Sequence, residues 1–172
     1  MGITLNEDRK VLLIGGAGYI GPVIAEELLS IGCSVRCLDL LLYDNGLSCI
    51  SLIKNQRFEL VHGDFLDKQL LNKALDGMTD VVVLGGLVGD PITKKYPDES
   101  ELINDIGIKQ VIDSLHNKNL ERVVFISTCS NYGLIEGDAK ADENFELNPL
   151  SLYAKSKVSA EQYLMDQQSS VD

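Results

Sequence analysis

The segment Val11-Leu12-Leu13-Ile14 is apolar at every position, and Gly15-Gly16-Ala17-Gly18-Tyr19-Ile20-Gly21 follows it without a break. A strand with no polar face must be covered on both sides, as strands of a parallel sheet are. Four more strand-like segments follow: Ser34 to Leu38, Phe58 to Val61, Asp80 to Leu84 and Arg122 to Ser127. Helical patterns fall around them at about Pro22 to Ile31, Lys68 to Leu75, Glu99 to Asn117, and from Leu150 or Ser151 to about Gln168. Pro22 suits a first helical turn, and Gly32 and Gly77 suit helix ends. Gly85 to Pro97, rich in Gly and Pro, reads as a loop, as does the polar stretch Thr128 to Pro149. Strand–helix alternation with right-handed crossovers predicts an α/β chain built on a doubly wound parallel sheet of order 3-2-1-4-5.

The 172 residues suit a single domain covering 1–172. With 15 basic against 26 acidic residues the net charge is −11, which opposes nucleic-acid and membrane-surface binding. Cys33, Cys37, Cys49 and Cys129 lack the paired short spacings of a zinc site, so no metal is expected and the thiols read as buried and free. The start MGITLNEDRK fits neither a signal peptide nor a myristoylation site, and no apolar run reaches membrane-spanning length. A cytoplasmic location is the expectation.

Between a strand and a helix, the glycine run reads as Gly16-x-Gly18-x-x-Gly21 with Gly15 at the strand end, a Rossmann-type dinucleotide turn. An early glycine permits the tight turn, Gly18 lets main chain touch a pyrophosphate, and Gly21 lets helix press on strand. The helix N-terminus then presents free N–H groups and about half a positive charge to phosphate. Asp39 stands 18 residues beyond Gly21, placed to accept hydrogen bonds from the adenosine ribose hydroxyls, which favours NAD over NADP. Arg36 lies close enough in sequence to soften that preference. Asp64 and Phe65 after the third strand could meet adenine, or Asp64 could equally be a turn or capping residue; His62 reads as structural. Tyr19, Ile20 and Leu84 complete the candidate cofactor contacts on the turn and the fourth strand.

Tyr153 and Lys157 are spaced i,i+4 on one helix face, where an ammonium can draw a phenol's pKa of about 10 toward neutrality. Thr128 lies 25 residues earlier at the end of the fifth strand, and ligands gather at that edge of a parallel sheet.

Taken together, GGAGYIG, Asp39, Gly63-Asp64, VVVLGG, Asn104 three before Gly107, STCSNYG and YAKSK resemble the extended short-chain dehydrogenase/reductases, specifically the NAD-dependent sugar-nucleotide epimerase/dehydratase family. The resemblance implies tightly held NAD, transient hydride transfer at a sugar carbon, and a nucleoside-diphosphate sugar as substrate. It implies Tyr153 as the acid/base on a sugar hydroxyl and Lys157 as the group that lowers its pKa and holds the nicotinamide ribose. Thr128 would bond the sugar hydroxyl, Asn104 would position the cofactor or its supporting loop, and Gly85, Gly86 and Leu87 would line the cofactor. Helices 99–117 and 151–168 correspond to those that form a dimeric four-helix bundle in relatives, implying a homodimer. Asn131 stands where the family usually has a β-branched or aromatic residue. Members also continue into later strands and a substrate lobe that this sequence lacks, so it reads as the truncated, cofactor-binding part, weakly active or inactive alone. The alternative is a non-catalytic NAD-binding module or an incomplete enzyme fragment. Cys129 and Ser130 after Thr128 supply no acidic pair, which tilts against dehydration.

Overall fold

In the computed structural model, parallel strands β1 (Lys10–Ile14), β2 (Ser34–Asp39), β3 (Phe58–His62), β4 (Asp80–Val83) and β5 (Arg122–Phe125) form one sheet in the order β3-β2-β1-β4-β5. The structure describes residues 8–42, 44–116, 118–135, 137 and 140–168. This is the expected fold class and strand order, with the strands ending within two residues of the apolar runs that mark them.

The chain forms two compact units. The first comprises Met1–Gly85 and Val111–Ile126 and holds the whole sheet. Alternate residues of each central strand point to opposite faces. Val11, Leu13, Val35 and Cys37 join Ala25 and Leu29 of α1 (Gly21–Ser30) and Cys49 and Leu52 in one core cluster. Leu12, Ile14, Leu38, Val81 and Val83, on the alternate positions, are also fully buried, so β1 is covered on both faces as its composition requires. Helix α2 (Lys68–Leu75) buries Leu71, Ala74 and Leu75, and Asp67 caps it by accepting from the Gln69 and Leu70 N–H groups. Between β2 and β3 lies a 3-10 turn, Asp44–Cys49. At the opposite strand ends, Arg9 forms ion pairs with Asp80 and, at 2.6 Å, Glu121.

The second unit comprises Gly86–Gln110 and Ser127–Asp172. Here the structure departs from expectation. Within the presumed loop 85–97 lies α3 (Asp90–Lys95), followed by α4 (Pro97–Ser100). Pro91 and Pro97 sit in first helical turns, where proline starts a helix instead of breaking one. The helix expected over 99–117 is continuous but irregular: π-helical over Glu101–Gly107, then α5 (Ile108–Leu115), with Val111 onward belonging to the first unit. Asn117, the expected helix end, lies outside the described residues. A 3-10 turn, Cys129–Tyr132, interrupts the expected loop after Thr128, and α6 (Leu152–Gln168) follows. Ser151 begins α6, its hydroxyl accepting from the Ala154 N–H at 3.1 Å.

Candidate functional site

The glycines after β1 serve different masters. Gly15 has φ +75°, and a Cβ there would lie 2.4 Å from the Gly85 Cα. A Cβ on Gly16 would meet the Leu13 Cβ at 2.6 Å and the Cys37 Sγ at 2.8 Å, and one on Gly21 would strike the Gly16 carbonyl oxygen. These three are demanded by packing within the chain. Gly18 is not: a Cβ there meets only the Gly15 oxygen, at an ordinary 3.6 Å.

The turn is braced from both sides at Ala17. The Asp39 carboxylate accepts from the Ala17 N–H at 2.9 Å and from the Leu41 N–H at 2.7 Å, while the Ser48 hydroxyl donates to the Ala17 carbonyl at 2.8 Å. Ser48 carries no motif, and nothing in the sequence marked it for a role. Beyond the turn Tyr19 is 99% exposed and Ile20 is exposed, and α1 begins without a side-chain cap. Its first N–H groups therefore have no side-chain acceptor, the condition an anion exploits.

Around this turn, Leu84 and Gly85 both donate their N–H to the Ile14 carbonyl at 2.9 Å, and a Cβ on Gly85 would stand 3.0 Å from the Phe65 ring. Asp64 accepts from the Leu66 N–H at 2.8 Å, the turn role that was one of its two readings, and His62 is exposed. Arg36 is committed elsewhere: its guanidinium donates to Glu59 at 2.6 Å and to the Ala74 and Asp76 carbonyls at 2.8 and 3.2 Å.

In the second unit, Asn104 occupies the π-helical segment and is 4% exposed. It accepts from the Leu87 N–H at 2.7 Å and donates to the Leu87 carbonyl at 2.9 Å, binding that residue's backbone at both ends. A Cβ on Gly86 would meet the Asn104 Oδ1 at 2.7 Å. The Thr128 hydroxyl accepts from the Ser130 N–H at 3.2 Å and so begins the 3-10 turn.

Tyr153, Lys157 and Glu161 follow one another at single-turn spacing on α6. The Lys157 Nζ lies over the Tyr153 ring, 5.8 Å from its centre, and the side chain is 6% exposed. Burial draws its pKa down to about 8 against the opposing pull of Glu161. Tyr153 moves the other way from the sequence expectation: burial, then the charges of Asp90 and Cys129, push its pKa up. Burial and those two neighbours set the direction of the shift. Asp90 was hidden in a segment read as loop. Three of the four cysteines are buried as expected, but Cys129 is exposed. Burial, with neighbouring Cys49 and Asp39, pushes the Cys37 thiol far up. Among the described residues no group of three side chains could hold a metal ion, and no helix is long and apolar enough to cross a membrane.

The profile of the NAD dependent epimerase/dehydratase family matches residues 11–171. The UDP-glucose 4-epimerase of Lactobacillus helveticus is 31% identical over 161 residues, 90% of this chain and 46% of the relative. The mouse sterol-4-alpha-carboxylate 3-dehydrogenase, decarboxylating, is 25% identical across 94% of this chain and 42% of its own length. Among solved structures, the Thermus thermophilus UDP-glucose 4-epimerase in complex with NAD superposes with a TM-score of 0.82 at 27% identity, covering 94% of this chain and 51% of the other. The chain spans about half the length of the curated relatives it matches.

Proposed function

The chain belongs to the NAD dependent epimerase/dehydratase family, and from that premise we propose that it binds NAD and serves epimerase-type hydride transfer at a carbon of a nucleoside-diphosphate sugar. The observation that carries this is Gly18. Every other glycine of the turn is explained by a clash inside the chain, whereas a Cβ on Gly18 would make only an ordinary contact, 3.6 Å from the Gly15 carbonyl oxygen. Such a residue earns its missing side chain by letting something outside the chain come close.

In this reading Gly15, Gly18, Tyr19, Ile20 and Gly21 border the pyrophosphate, and Asp39, pre-set by its bonds to the Ala17 and Leu41 N–H groups, offers its remaining lone pairs to ribose hydroxyls. A 2′-phosphate would meet that carboxylate, and Arg36 is bound to Glu59 instead of relieving it, so NAD is preferred over NADP. Asp64 and Phe65 border adenine; Leu84, Gly85, Gly86 and Leu87 line the rest of the cofactor, with Asn104 holding Leu87 in place. NAD, when bound, supplies a reversible hydride acceptor. Tyr153 takes or returns the proton of the sugar hydroxyl at its phenol oxygen, Thr128 bonds that hydroxyl, and Lys157 holds the nicotinamide ribose and supplies a positive charge that must offset the upward push of burial, Asp90 and Cys129 on the phenol. The buried thiols of Cys33, Cys37 and Cys49 fit a reducing compartment, which supports a cytoplasmic home. Exposed Leu102, Ile106, Leu152 and Met165 support a homodimer through the helices that carry them.

Calorimetric titration with NAD tests the reading. Saturable binding is expected, and Gly18→Val should weaken it at least about tenfold while circular dichroism stays unchanged. No saturation up to millimolar NAD would refute it. Tyr153→Phe should spare NAD affinity and abolish any turnover of a nucleotide sugar.

A further inference from the structure

Asn131 is the buried polar residue to which the reading above gives no task. It is 3% exposed, and its Nδ2 donates to the Ser127 hydroxyl at 3.0 Å and to the Glu161 carboxylate at 2.9 Å. Its Oδ1 is buried and finds no hydrogen-bond partner among the described residues. An ionised carboxylate can only accept, so the amide must turn its nitrogen toward Glu161, and the stranded oxygen follows from that orientation. A valine at this position would carry no stranded oxygen of its own, but it would take a donor from Glu161 and Ser127. The amide is therefore explained by the carboxylate it holds, not by packing.

Glu161 in turn stands one helical turn beyond Lys157. Burial alone disfavours an ammonium, and a carboxylate fixed nearby is the standard means of restoring it. We propose that Glu161, fixed by Asn131, is a positioning residue that keeps the buried Lys157 protonated. The segments packed against α6 are α3, α4, the π-helical stretch and the 3-10 turn. Their ionisable groups are Asp90, Lys94, Lys95, Asp98, Glu99, Glu101, Asp105, Cys129 and Tyr132. Asp105 is taken by Lys109 and by the Ser159 hydroxyl, at 2.8 Å each, and Asp90 and Cys129 act on Tyr153. Glu161 is the charge that bears on Lys157 in the stabilising sense. The inference rests on the proposed function only for why a charged Lys157 matters.

The test is an NMR titration of the Lys157 side chain in the 172-residue chain without NAD, the resonance assigned by its loss in Lys157→Met. The wild-type midpoint should fall near pH 8. Glu161→Gln should lower it by about one pH unit, a tenfold change in acid constant, and Asn131→Val should lower it by less. Glu161→Asp, which keeps the charge, should stay nearer wild type than Glu161→Gln does. A folded Glu161→Gln protein that titrates like wild type would overturn the proposal. Should that variant fail to fold, a wild-type midpoint in Asn131→Val would overturn it equally. The same shift should carry into NAD affinity: it should fall as pH rises through the Lys157 midpoint, and the fall should begin at a lower pH in Glu161→Gln than in wild type. If NAD does not bind at all, the functional reading fails while the midpoint comparison still decides this one.

Discussion

Among the described residues, the buried hydrophobic side chains all lie in the sheet unit except Ile108, Ala154 and Ala160. The buried polar ones run the other way: Thr93, Ser100, Asn104, Asn131 and Lys157 belong to the second unit, and Asp80 alone to the first. Burying apolar surface stabilises by roughly 25 cal/mol per Å², whereas a buried polar group costs free energy unless it is bonded, and a buried charge costs more. The sheet unit thus draws its stability from an apolar core, whereas the second unit buries polar side chains held by hydrogen bonds, Thr93, Ser100, Asn104 and Asn131 among them. On the proposed reading, the first unit would offer a ligand main chain left bare by glycine and the second would offer side chains.

The sharpest way to break that contrast is to put a methyl group on two glycines of the same turn. Gly21→Ala should cost about 3 kcal/mol or more in urea unfolding, because its Cβ meets a backbone oxygen that cannot retreat cheaply. Gly18→Ala should stay within about 0.5 kcal/mol of wild type. Equal costs would mean that the turn does not divide between fold and ligand.

A smaller effect is expected from Lys157→Met. The lysine's ordinary pKa of 10.5 falls to about 8 in the folded chain. Below about pH 8 both states carry the proton and the cost of the buried charge is present in full. Between pH 8 and 10.5 the unfolded chain binds more protons, so stability rises with pH and the cost disappears. The variant should therefore exceed wild type at pH 7 by on the order of 1–2 kcal/mol, with the gap closing by pH 10.5. Urea midpoints of the pair across that range measure it, and comparing the two removes the opposite alkaline contributions of Tyr153 and Cys37, whose pKa values are raised. A constant gap would show that Lys157 is not the group titrating.

The smallest effect belongs to Arg36→Gln. With the guanidinium bound to Glu59 and to the Ala74 and Asp76 carbonyls, the ratio of NAD to NADP affinity should change by no more than about twofold. A tenfold change in calorimetric affinities would place that side chain in coenzyme choice after all.

The same contrast governs what could be read from the amino acids alone. Strand order, the glycine turn and α2 were legible because each rests on a local pattern: an apolar run, a spacing, a cap followed by a period. The π-helical stretch was invisible, since its apolar residues satisfy an ordinary helical period and nothing announces the wider turn. Helix α3 was missed because Pro91 was weighed as a breaker, though it suits a first turn. Ser48, Asp90 and Glu161 were passed over, and Asn131 was noted only as a departure from the family pattern, for a deeper reason. Each acts on a partner distant in the chain or through a charge set by burial, and neither distance in space nor burial is written in residue spacing. The direction of the Tyr153 shift was missed for that reason too: spacing put Lys157 on the same face but could not show the burial of the phenol or the nearness of Asp90 and Cys129.

Gly15 and Gly85 stand back to back, the end of one strand resting on the exit of another. The two are not equivalent: a side chain on Gly15 would run into the Gly85 main chain, which has nothing to trim, whereas one on Gly85 would press on the Phe65 ring, which a smaller residue could relieve. Directed evolution of this protein should therefore leave Gly15 untouched, and should admit change at Gly85 only together with change at Phe65.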